Sequence, residues 1–491
     1  MDERTILITE NVSYEELRQH VLQKAESLRA VLVRTRLLPG WPKSPLGFEV
    51  IHGESLYEPC DSQTHIGLHH RFSEVYSAVI GDVRSLFIAE RTWVSSVTAV
   101  EGAFKNAARL STLCWNVLAL LDRTQATRVV CTSSPHEIAD WVTAKVADFL
   151  GIPVFIVGAS PVPWKAWCMQ GLDELRPIGP DELQCDGTPM GGVDASDVEG
   201  IQRYLAVNRD TSYIDAVPAI DRPSQEDPAR LSSEHLYRMS IFSRRLGLSM
   251  FDPRKVAFRY LTRRQTTLHH RQLFRRYNEL ARPLETGPPI VSMFLHYQPE
   301  RTTMPEGGDF SNQLAAVYTL HSVLPDGWRL AVREHPATFY GPGPYRRAFR
   351  DPIIYDALDS LPNASLVPMS TTPFELIDSS QLVVTVTGTV GMQSLCRGVP
   401  VLALGAATYR DAPGALALPR EPAEQVPFLQ AALPTIAVIK RSVDHASLLK
   451  YLEDVATRSI GFYQEADEAP GSGESAPTFA SRAKATALLV P

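Results

Sequence analysis

Short apolar runs separated by polar or glycine-containing turns recur along the second half of the chain. Apolar runs of about four to eight residues are typical of strands buried in a parallel sheet, and amphipathic segments between them are typical of helices. Because strands and helices alternate, the pattern predicts an α/β domain. The predicted strands are 290–296, 329–336, 365–369, 382–387 and 399–405, and the predicted helices are 312–324, 373–380 and 445–459.

The first 220 residues show the same alternation in fewer segments. Residues 85–90, 127–133 and 153–158 each have the pattern of a short buried strand. Between the last two, apolar residues recur at helical spacing up to Gly151, which stands where a helix is expected to end. A strand, a helix and a strand with short connections form a βαβ unit, so a second parallel sheet is expected here.

The length of 491 residues exceeds what one hydrophobic core ordinarily supports, so two domains are expected. The predicted fold class is α/β, with two Rossmann-like parallel-sheet domains that face each other across a cleft. Open parallel sheets bind ligands beyond the carboxyl ends of their strands, which places the candidate site in that cleft. The predicted domains are 1–285 and 286–460, followed by a partly mobile tail at 461–491 that is rich in Gly, Ser, Glu and Ala.

The composition is that of a soluble globular protein, with 44% hydrophobic and 21% charged residues and a net charge of −7. An acidic balance argues against general nucleic-acid binding, and no apolar run reaches the roughly 18–20 residues that span a bilayer. The N-terminus lacks the pattern of a secretory signal. The six cysteines are scattered without CxxC pairing, which favours reduced thiols in a cytoplasmic protein.

One segment departs from the acidic balance. Residues 230–282 contain thirteen Arg or Lys residues against three acids, in a largely helical pattern. Such a surface can bind an anionic membrane leaflet peripherally, or guide an acidic glycan or lipid-phosphate substrate. It can equally be a solvated face whose arginines pair with the acidic remainder of the chain, and both interpretations stay open.

The first candidate for chemistry lies between two of the predicted strands, where a turn carries Gly388, Gly391 and three threonines before a short helix. A strand, a glycine-containing turn and a helix N-terminus can offer backbone N–H groups to an anion. The alternative is an ordinary turn whose glycines need positive φ and whose threonines bond their own backbone. The segment matches neither the GxGxxG fingerprint nor the P-loop.

The second candidate is the end of the strand at 329–336, which delivers Arg333, Glu334, His335 and Pro336 to a loop. Histidine there can donate to a diphosphate or act as an acid or base near neutral pH, and arginine can neutralise phosphate charge. The alternative is a solvated Arg333–Glu334 pair beside a histidine that caps the loop.

Two weaker candidates follow other strands. The long polar loop 295–313 contains Glu300, Arg301 and Gln313, and long polar loops at strand ends are often functional. Glu300 can serve as a base or as an acceptor for sugar hydroxyls, although a single acid is also an ordinary surface group. His136 follows the strand at 127–133 and is a candidate contact for a second substrate.

Taken in order, the motifs HYQPERTT, LPDGWRLAVREHP and VVTVTGTVG with RGVPVLALG and a following Tyr resemble the bacterial capsule and surface-polysaccharide biosynthesis family. That family includes enzymes similar to the Kdo transferases of capsule assembly, which have the two-domain GT-B glycosyltransferase architecture. The resemblance covers residues 290–411 well and the N-terminal half more loosely. It implies transfer of a sugar from a nucleotide-activated donor, such as CMP-Kdo, to a growing capsular or surface polysaccharide.

The resemblance also implies roles for residues. The donor would bind mostly to the C-terminal domain, and a glycan or glycolipid acceptor to the N-terminal domain. Where the family usually has a ribose-binding Glu, this chain has Gln393. No acid pair suited to a metal stands at a strand end, so no cofactor and no obligatory metal is expected. The implied residues are Glu300 and His335 for catalysis, Arg333, Pro336, Thr387, Gly388, Thr389, Val390, Gly391 and Gln393 for the donor, and Arg301, Gln313 and His136 for other contacts.

Two other functions remain open at this point. A non-hydrolysing nucleotide-sugar epimerase shares the two-domain shape and needs no acceptor. A non-catalytic polysaccharide assembly protein could keep the fold without turnover, and Gln393 in place of an acid is the feature that favours it.

Overall fold

The computed structural model describes most of the chain as two compact units. One unit comprises Met1–Tyr204, Met304–Ser311 and Leu449–Pro491, and the other comprises Leu205–Thr303 and Asn312–Leu448. The described residues are 4–9, 17–22, 26–33, 48–58, 69–92, 99–162, 164–179, 193, 195–209, 253–284, 287–298, 303–339, 350–419, 421–438, 443–461, 486 and 488–490.

Strands and helices alternate through the described part of the chain. The strands are β1 (Thr5–Thr9), β2 (Leu28–Val33), β3 (Glu49–His52), β4 (Arg128–Cys131), β5 (Val154–Ala159), β6 (Lys165–Gln170), β7 (Arg176–Pro177), β8 (Ile290–Phe294), β9 (Arg329–Arg333), β10 (Ala364–Leu366), β11 (Leu382–Thr385), β12 (Val401–Ala403), β13 (Ala415–Ala417) and β14 (Ile460–Gly461). The helices are α1 (Phe72–Ile80), α2 (Val83–Thr92), α3 (Ala99–Thr124), α4 (Ile138–Phe149), α5 (Ala195–Arg209), α6 (Pro253–Leu280), α7 (Gln313–Ser322), α8 (Ile353–Asp359), α9 (Pro373–Ser379), α10 (Val390–Cys396), α11 (Pro422–Val438) and α12 (His445–Arg458).

The first unit is built on an eight-stranded sheet with the order β14-β6-β5-β4-β1-β2-β3, in which β7 also pairs with β6. Five neighbouring strands of this sheet are parallel to one another, in the order β3, β2, β1, β4 and β5. The remaining strands, β6, β7 and β14, are antiparallel to the strands they pair with. Helix α4 connects β4 and β5, and Gly151 follows it with φ of 77°. Strands β4 and β5 pair in parallel on either side of this helix, so the predicted βαβ unit is confirmed. The left-handed conformation of Gly151 ends the helix where the sequence predicts its end.

The predicted strand at 85–90 is wrong, because these residues lie in helix α2. Ser85, Ile88 and Ala89 are buried and Leu86 is exposed, which is the spacing of one helical face. The indole N–H of Trp141, on α4, donates to the Ser85 hydroxyl at 2.8 Å. A four-residue apolar run does not by itself distinguish a strand from a buried helical turn.

The end of the chain belongs to the first unit. Leu489 and Val490 pack into the same apolar cluster as Leu7 and Val130, which come from β1 and β4. Strand β14 extends the sheet beside β6. Most of the predicted tail at 461–491 lies outside the described residues, but Leu489 and Val490 within it are buried.

The second unit contains a six-stranded sheet with the order β10-β9-β8-β11-β12-β13, and every pairing in it is parallel. Strands β8, β9, β10, β11 and β12 and helices α7 and α9 lie where the apolar pattern predicts them. Strands β8 and β11 are buried at every position, because neighbouring strands and helices cover them. The α/β class with two mainly parallel sheets is therefore confirmed.

The basic segment belongs with the second unit, which differs from the predicted domain boundary at residue 285. Its described part is helix α6, and the Tyr277 hydroxyl on that helix bonds the carbonyl oxygen of Val367, just after β10. Arg276 pairs with Asp356 at 2.5 Å, and Arg282 pairs with Asp359 at 3.0 Å. These basic residues therefore pair within the unit, and residues 230–252 lie outside the described part.

The four cysteines that the structure describes are buried, and none of them forms a disulfide. Burial raises the pKa of the Cys114 and Cys396 thiols to about 12, so neither is a nucleophile near neutral pH. Within the described residues, no helix has the length and apolar character needed to cross a membrane.

Candidate functional site

Three neighbouring strands of the second unit end at the same level. Phe294 at the end of β8 pairs with Arg333 at the end of β9 and with Thr385 at the end of β11. Because the strands are parallel, the loops that follow them leave the sheet at one edge. This carboxyl edge is the usual ligand-binding edge of an open parallel sheet.

The loops after β8 and β11 are joined through His296. Its Nε2 atom lies 2.9 Å from the Thr385 hydroxyl oxygen and accepts a long hydrogen bond of 3.5 Å from the Thr387 N–H. The Thr385 oxygen in turn accepts the Gly388 N–H at 3.2 Å. A neutral His296 with its proton on Nδ1 satisfies all three contacts, because Nε2 then accepts and the Thr385 hydroxyl donates to it.

Both glycines of the turn are needed for space. A Cβ on Gly388 would lie 2.8 Å from the Thr385 hydroxyl oxygen and 3.1 Å from His296 Nε2. A Cβ on Gly391 would lie 2.1 Å from the hydroxyl oxygen of Tyr409, which donates to the Gly388 carbonyl at 2.6 Å. Neither glycine has a positive φ, so the expectation of left-handed glycines in an ordinary turn is wrong. The other part of that alternative, a threonine that bonds the backbone of its own turn, is confirmed by the Thr385–Gly388 bond. The chain's own side chains fill the space that these glycines leave.

The accessible part of this turn carries the neutral polar groups that the sequence predicts for the donor. Thr389 is exposed, and Thr387, Gly388, Val390 and Gln393 are partly exposed. Among the described residues the Gln393 side chain has no hydrogen-bond partner. The Gly391 N–H donates to the Gly388 carbonyl at 3.0 Å, so it is already used within the turn.

His335 caps the short turn Pro336–Thr338 at the end of β9. Its Nδ1 atom accepts the Ala337 N–H at 3.1 Å, so a neutral His335 carries its proton on Nε2. The ring of Tyr297, from the loop after β8, lies 5.0 Å from the His335 ring between centroids. The alternative of a capping histidine is thus confirmed, and the cap fixes which ring nitrogen can donate.

Glu334, next in the chain before His335, is fully buried and is not a solvated partner of Arg333. It pairs instead with Arg350 at 2.9 Å. Arg333 is also buried, and its Nε donates to the Thr371 carbonyl, in the loop after β10, at 3.0 Å. Because β10 lies on the side of β9 away from β8, this bond directs Arg333 away from the turn at 387–391. Pro336 is buried as the first residue of its short turn.

Gln313 orders the loop after β8 from the first turn of α7. Its amide oxygen accepts the His296 N–H at 2.7 Å, and its amide nitrogen donates to the His296 carbonyl at 3.0 Å. The side chain is buried. The resemblance implies that Gln313 either faces the sugar or orders the loop over it, and these contacts correspond to the second role.

Replacing Gln313 by Leu will leave the His296 N–H buried without a partner. One such orphaned donor costs about 1–3 kcal/mol, so we expect faster hydrogen exchange for the amides of β8 and its loop, measured by mass spectrometry on peptides from 290–298. Gln381→Leu is the matched control, because that partly exposed side chain has no hydrogen bond among the described residues. Equal exchange in the two variants would contradict the role of Gln313.

The remaining predicted residues lie elsewhere. Glu300 and Arg301 lie outside the described residues. The segment Met304–Ser311 that follows them belongs to the first unit. His136 also belongs to that unit, at the carboxyl end of β4, where its Nδ1 lies 3.1 Å from the Ser134 carbonyl oxygen. The described residues contain no group of three His, Cys, Asp or Glu side chains that could hold a metal ion.

Four residues of the site are not among the candidates from the sequence. His296 and Tyr297 stand in the HYQPERTT motif, and Tyr409 is the Tyr that follows RGVPVLALG. Their positions in these motifs were the available signal. Arg350 lies in no motif, and only the fold shows that its Nη2 donates to the His296 carbonyl at 2.7 Å.

No protein-family model matches the sequence, and a search of curated proteins returns no match. Solved structures do match the fold. The matches include Kdo transferases. One, a β-Kdo 2,4 transferase of Thermosulfurimonas dismutans KpsC, is 13% identical, with 67% of this chain and 87% of that chain covered and a TM-score of 0.29.

Two further matches are an epimerase and a second glycosyltransferase. UDP-GlcNAc 2-epimerase from Neisseria meningitidis is 12% identical, with both chains covered to 100% and a TM-score of 0.23. Spinosyn rhamnosyltransferase SpnG is 10% identical, with 93% of this chain and 97% of that chain covered and a TM-score of 0.26. Similarity at this level concerns the fold, and the functional argument rests on the contacts of the site.

Proposed function

We propose that the chain is a glycosyltransferase that moves a sugar from a nucleotide-activated donor, of the CMP-Kdo type, to a growing capsular or surface polysaccharide. The observation that carries the proposal is the joining of three strand-end loops in the second unit. His296 bonds Thr385, and Tyr297 packs on His335, so these loops form one surface at the carboxyl edge of the sheet. The sequence motifs that resemble the capsule family are the ones that meet there.

The chemistry of this surface suits the phosphate of a nucleotide donor. Its accessible side chains include the hydroxyls of Thr387 and Thr389 and the ring of His335, whereas the acid at this edge, Glu334, is buried against Arg350. The Nε2–H of His335 would donate to a phosphate oxygen as the bond to the sugar breaks, which stabilises the charge of the leaving nucleotide. Glu300 is proposed as the second catalytic group on the strength of the family motif alone.

The acceptor side of the proposal is a glycan or glycolipid, with His136 as a candidate contact in the first unit. A cytoplasmic protein held at an anionic membrane surface through the basic residues of 230–282 would meet such an acceptor. Arg276 and Arg282 form ion pairs within the second unit, so the described part of this segment has less positive charge for a membrane surface than its sequence suggests.

Gln393 is proposed to bind a ribose hydroxyl of the donor. Replacing it by Glu restores a charge-assisted hydrogen bond, which is about twice as strong as a neutral one, so nucleotide affinity is expected to rise about 5-fold. Isothermal titration with the preferred nucleotide measures the change. Gln381→Glu is the control for the added charge, and an equal effect of both substitutions, or a weaker affinity in Gln393→Glu, would rule out the ribose contact.

A nucleotide screen tests the proposal. Thermal shifts are measured with CMP, UDP, GDP and CDP, and a selective rise for one of them identifies the donor class. The matching nucleotide sugar is then incubated with and without a glycan acceptor. Acceptor-dependent nucleotide release supports transfer, isomerisation without acceptor indicates an epimerase, and binding without either reaction indicates a non-catalytic assembly protein.

A further inference from the structure

Glu334 and Arg350 form a buried ion pair that contacts both histidine loops. Arg350 Nε lies 2.9 Å from Glu334 Oε2, and the two side chains are 3% and 0% exposed. Glu334 Oε1 accepts the backbone N–H of His335 at 2.8 Å. Arg350 Nη2 donates to the backbone carbonyl of His296 at 2.7 Å. One ion pair therefore holds a backbone atom of each loop.

The surroundings hold this pair in place. The Tyr355 hydroxyl donates to Glu334 Oε2 at 2.8 Å, and burial together with the charge of Glu334 raises the pKa of Tyr355, so the hydroxyl keeps its proton. Helix α6 adds two contacts to the backbone of the pair. The Tyr277 hydroxyl oxygen accepts the Glu334 N–H at 3.3 Å, and His269 Nε2 lies 2.7 Å from the Arg350 carbonyl oxygen.

Net stability does not account for such an arrangement. Taking two charges out of water offsets most of their attraction, and apolar replacements of a buried pair are often as stable. What an apolar pair would lack is the acceptor for the His335 N–H and the donor for the His296 carbonyl. Those two hydrogen bonds fix the distance between the loops that carry the proposed donor contacts.

We propose that Glu334 and Arg350 are positioning residues, which hold the His296 and His335 loops at the separation that the donor requires. The inference rests on the proposed function, because it assigns the purpose of the pair to the donor site. Neither side chain touches the donor, since both are buried. Their effect reaches the donor through the two histidine backbones.

The double variant Glu334→Leu/Arg350→Met tests the assignment. We expect a folded protein in which hydrogen exchange is faster at His335, whose N–H loses its acceptor, and close to native within the strands β8 and β9. The affinity for the nucleotide that the screen selects should fall about 10- to 100-fold, because small displacements of binding groups are costly. Arg350→Lys keeps the charge but places a single ammonium where a forked guanidinium spans two partners, so an intermediate loss is expected. Native affinity in a folded double variant would overturn the proposal.

An exposed ion pair of the first unit is the matched control. Arg123 and Glu49 lie 2.7 Å apart with side chains 39% and 45% exposed, and Arg123→Met/Glu49→Leu removes the same charges. Exposed pairs contribute little, so this variant should bind the nucleotide as the native chain does. A comparable loss of affinity in the control would show that net charge, and not positioning, is responsible.

A ligand-free measurement separates the two proposals. In protein labelled with ¹⁵N-histidine and ¹⁵N-tyrosine, the amide signals of His335 and Tyr297 should shift in the double variant and stay in place in the control. Only the double variant removes the acceptor of the His335 N–H and the Arg350 donor to the His296 carbonyl, which shares a peptide group with the Tyr297 N–H. If the double variant does not fold, Arg350→Lys provides the same comparison. Unmoved signals would overturn the positioning role, whereas shifted signals in a chain that binds no nucleotide would overturn the proposed function alone.

Discussion

Gly391→Ala is expected to lower the unfolding free energy of the second unit by about 3 kcal/mol, near the upper end for overpacking of a well-packed core. The new Cβ would lie 2.1 Å from the Tyr409 hydroxyl oxygen and 2.4 Å from the ring carbon that carries it. The buried ring must move away, which breaks its bond to the Gly388 carbonyl and displaces the turn proposed to bind the donor. Hydrogen exchange of the β11 and β12 amides measures the loss.

A double-mutant cycle with Tyr409→Ala identifies the cause. Once the ring is gone, the alanine at 391 meets open space, so the added cost of Gly391→Ala should nearly vanish and the coupling should be about 2–3 kcal/mol. Gly327→Ala is the backbone control, because Gly327 has φ of 78° and an added Cβ there would have no atom within 4 Å, so its cost should be about 1 kcal/mol. An undiminished cost in the Tyr409→Ala background would show that crowding by the ring is not the reason for glycine here.

His335→Asn is expected to lower kcat/KM for nucleotide release by about 10²–10³-fold, the usual effect of removing one donor to a developing anion. The Asn side-chain oxygen can still accept the Ala337 N–H that His335 Nδ1 accepts, so the turn Pro336–Thr338 keeps its cap. What Asn lacks is a donor at the position of Nε2. The rate is measured with the nucleotide sugar that the screen identifies.

The matched variant is His335→Gln, whose longer side chain places an amide N–H close to where Nε2 lies. It should retain more activity than His335→Asn, even though Asn preserves the cap better. If Asn is the more active variant, the capping bond matters and the Nε2 donor does not. If both equal the native chain, His335 has no part in catalysis.

Local sequence patterns predicted most of the second sheet, because each of its central strands is buried on both faces and therefore appears as an unbroken apolar run. The same reasoning misplaced 85–90, where a helix buries Ser85, Ile88 and Ala89 along one face. A short apolar run indicates that its residues are buried, but it is too short to show whether the apolar positions recur with the period of a helix or of a strand. The assignment of helix α6 to the second unit depended on contacts such as Tyr277 with the residue after β10, which no local pattern records.

The candidate site, like the fold, could be predicted from the sequence only in part. The sequence located His335 and the turn at 387–391, because both follow buried strands. It could not show that Glu334 is turned inward, since its partner Arg350 lies sixteen residues further along the chain and only the fold brings them together. The need for space at the two glycines could not be predicted locally, because the side chains that need it, His296 and Tyr409, come from other loops.

The burial of Leu489 and Val490 beside β1 and β4 has a consequence for synthesis on the ribosome. The first unit draws on residues as far apart in the sequence as Leu7 and Val490, so its core cannot close until Val490 has left the ribosome. The second unit, which is encoded between those segments, can complete its sheet earlier. Ribosome-bound chains whose emerged part ends near residue 450 should show a protease-resistant second unit and a sensitive first one.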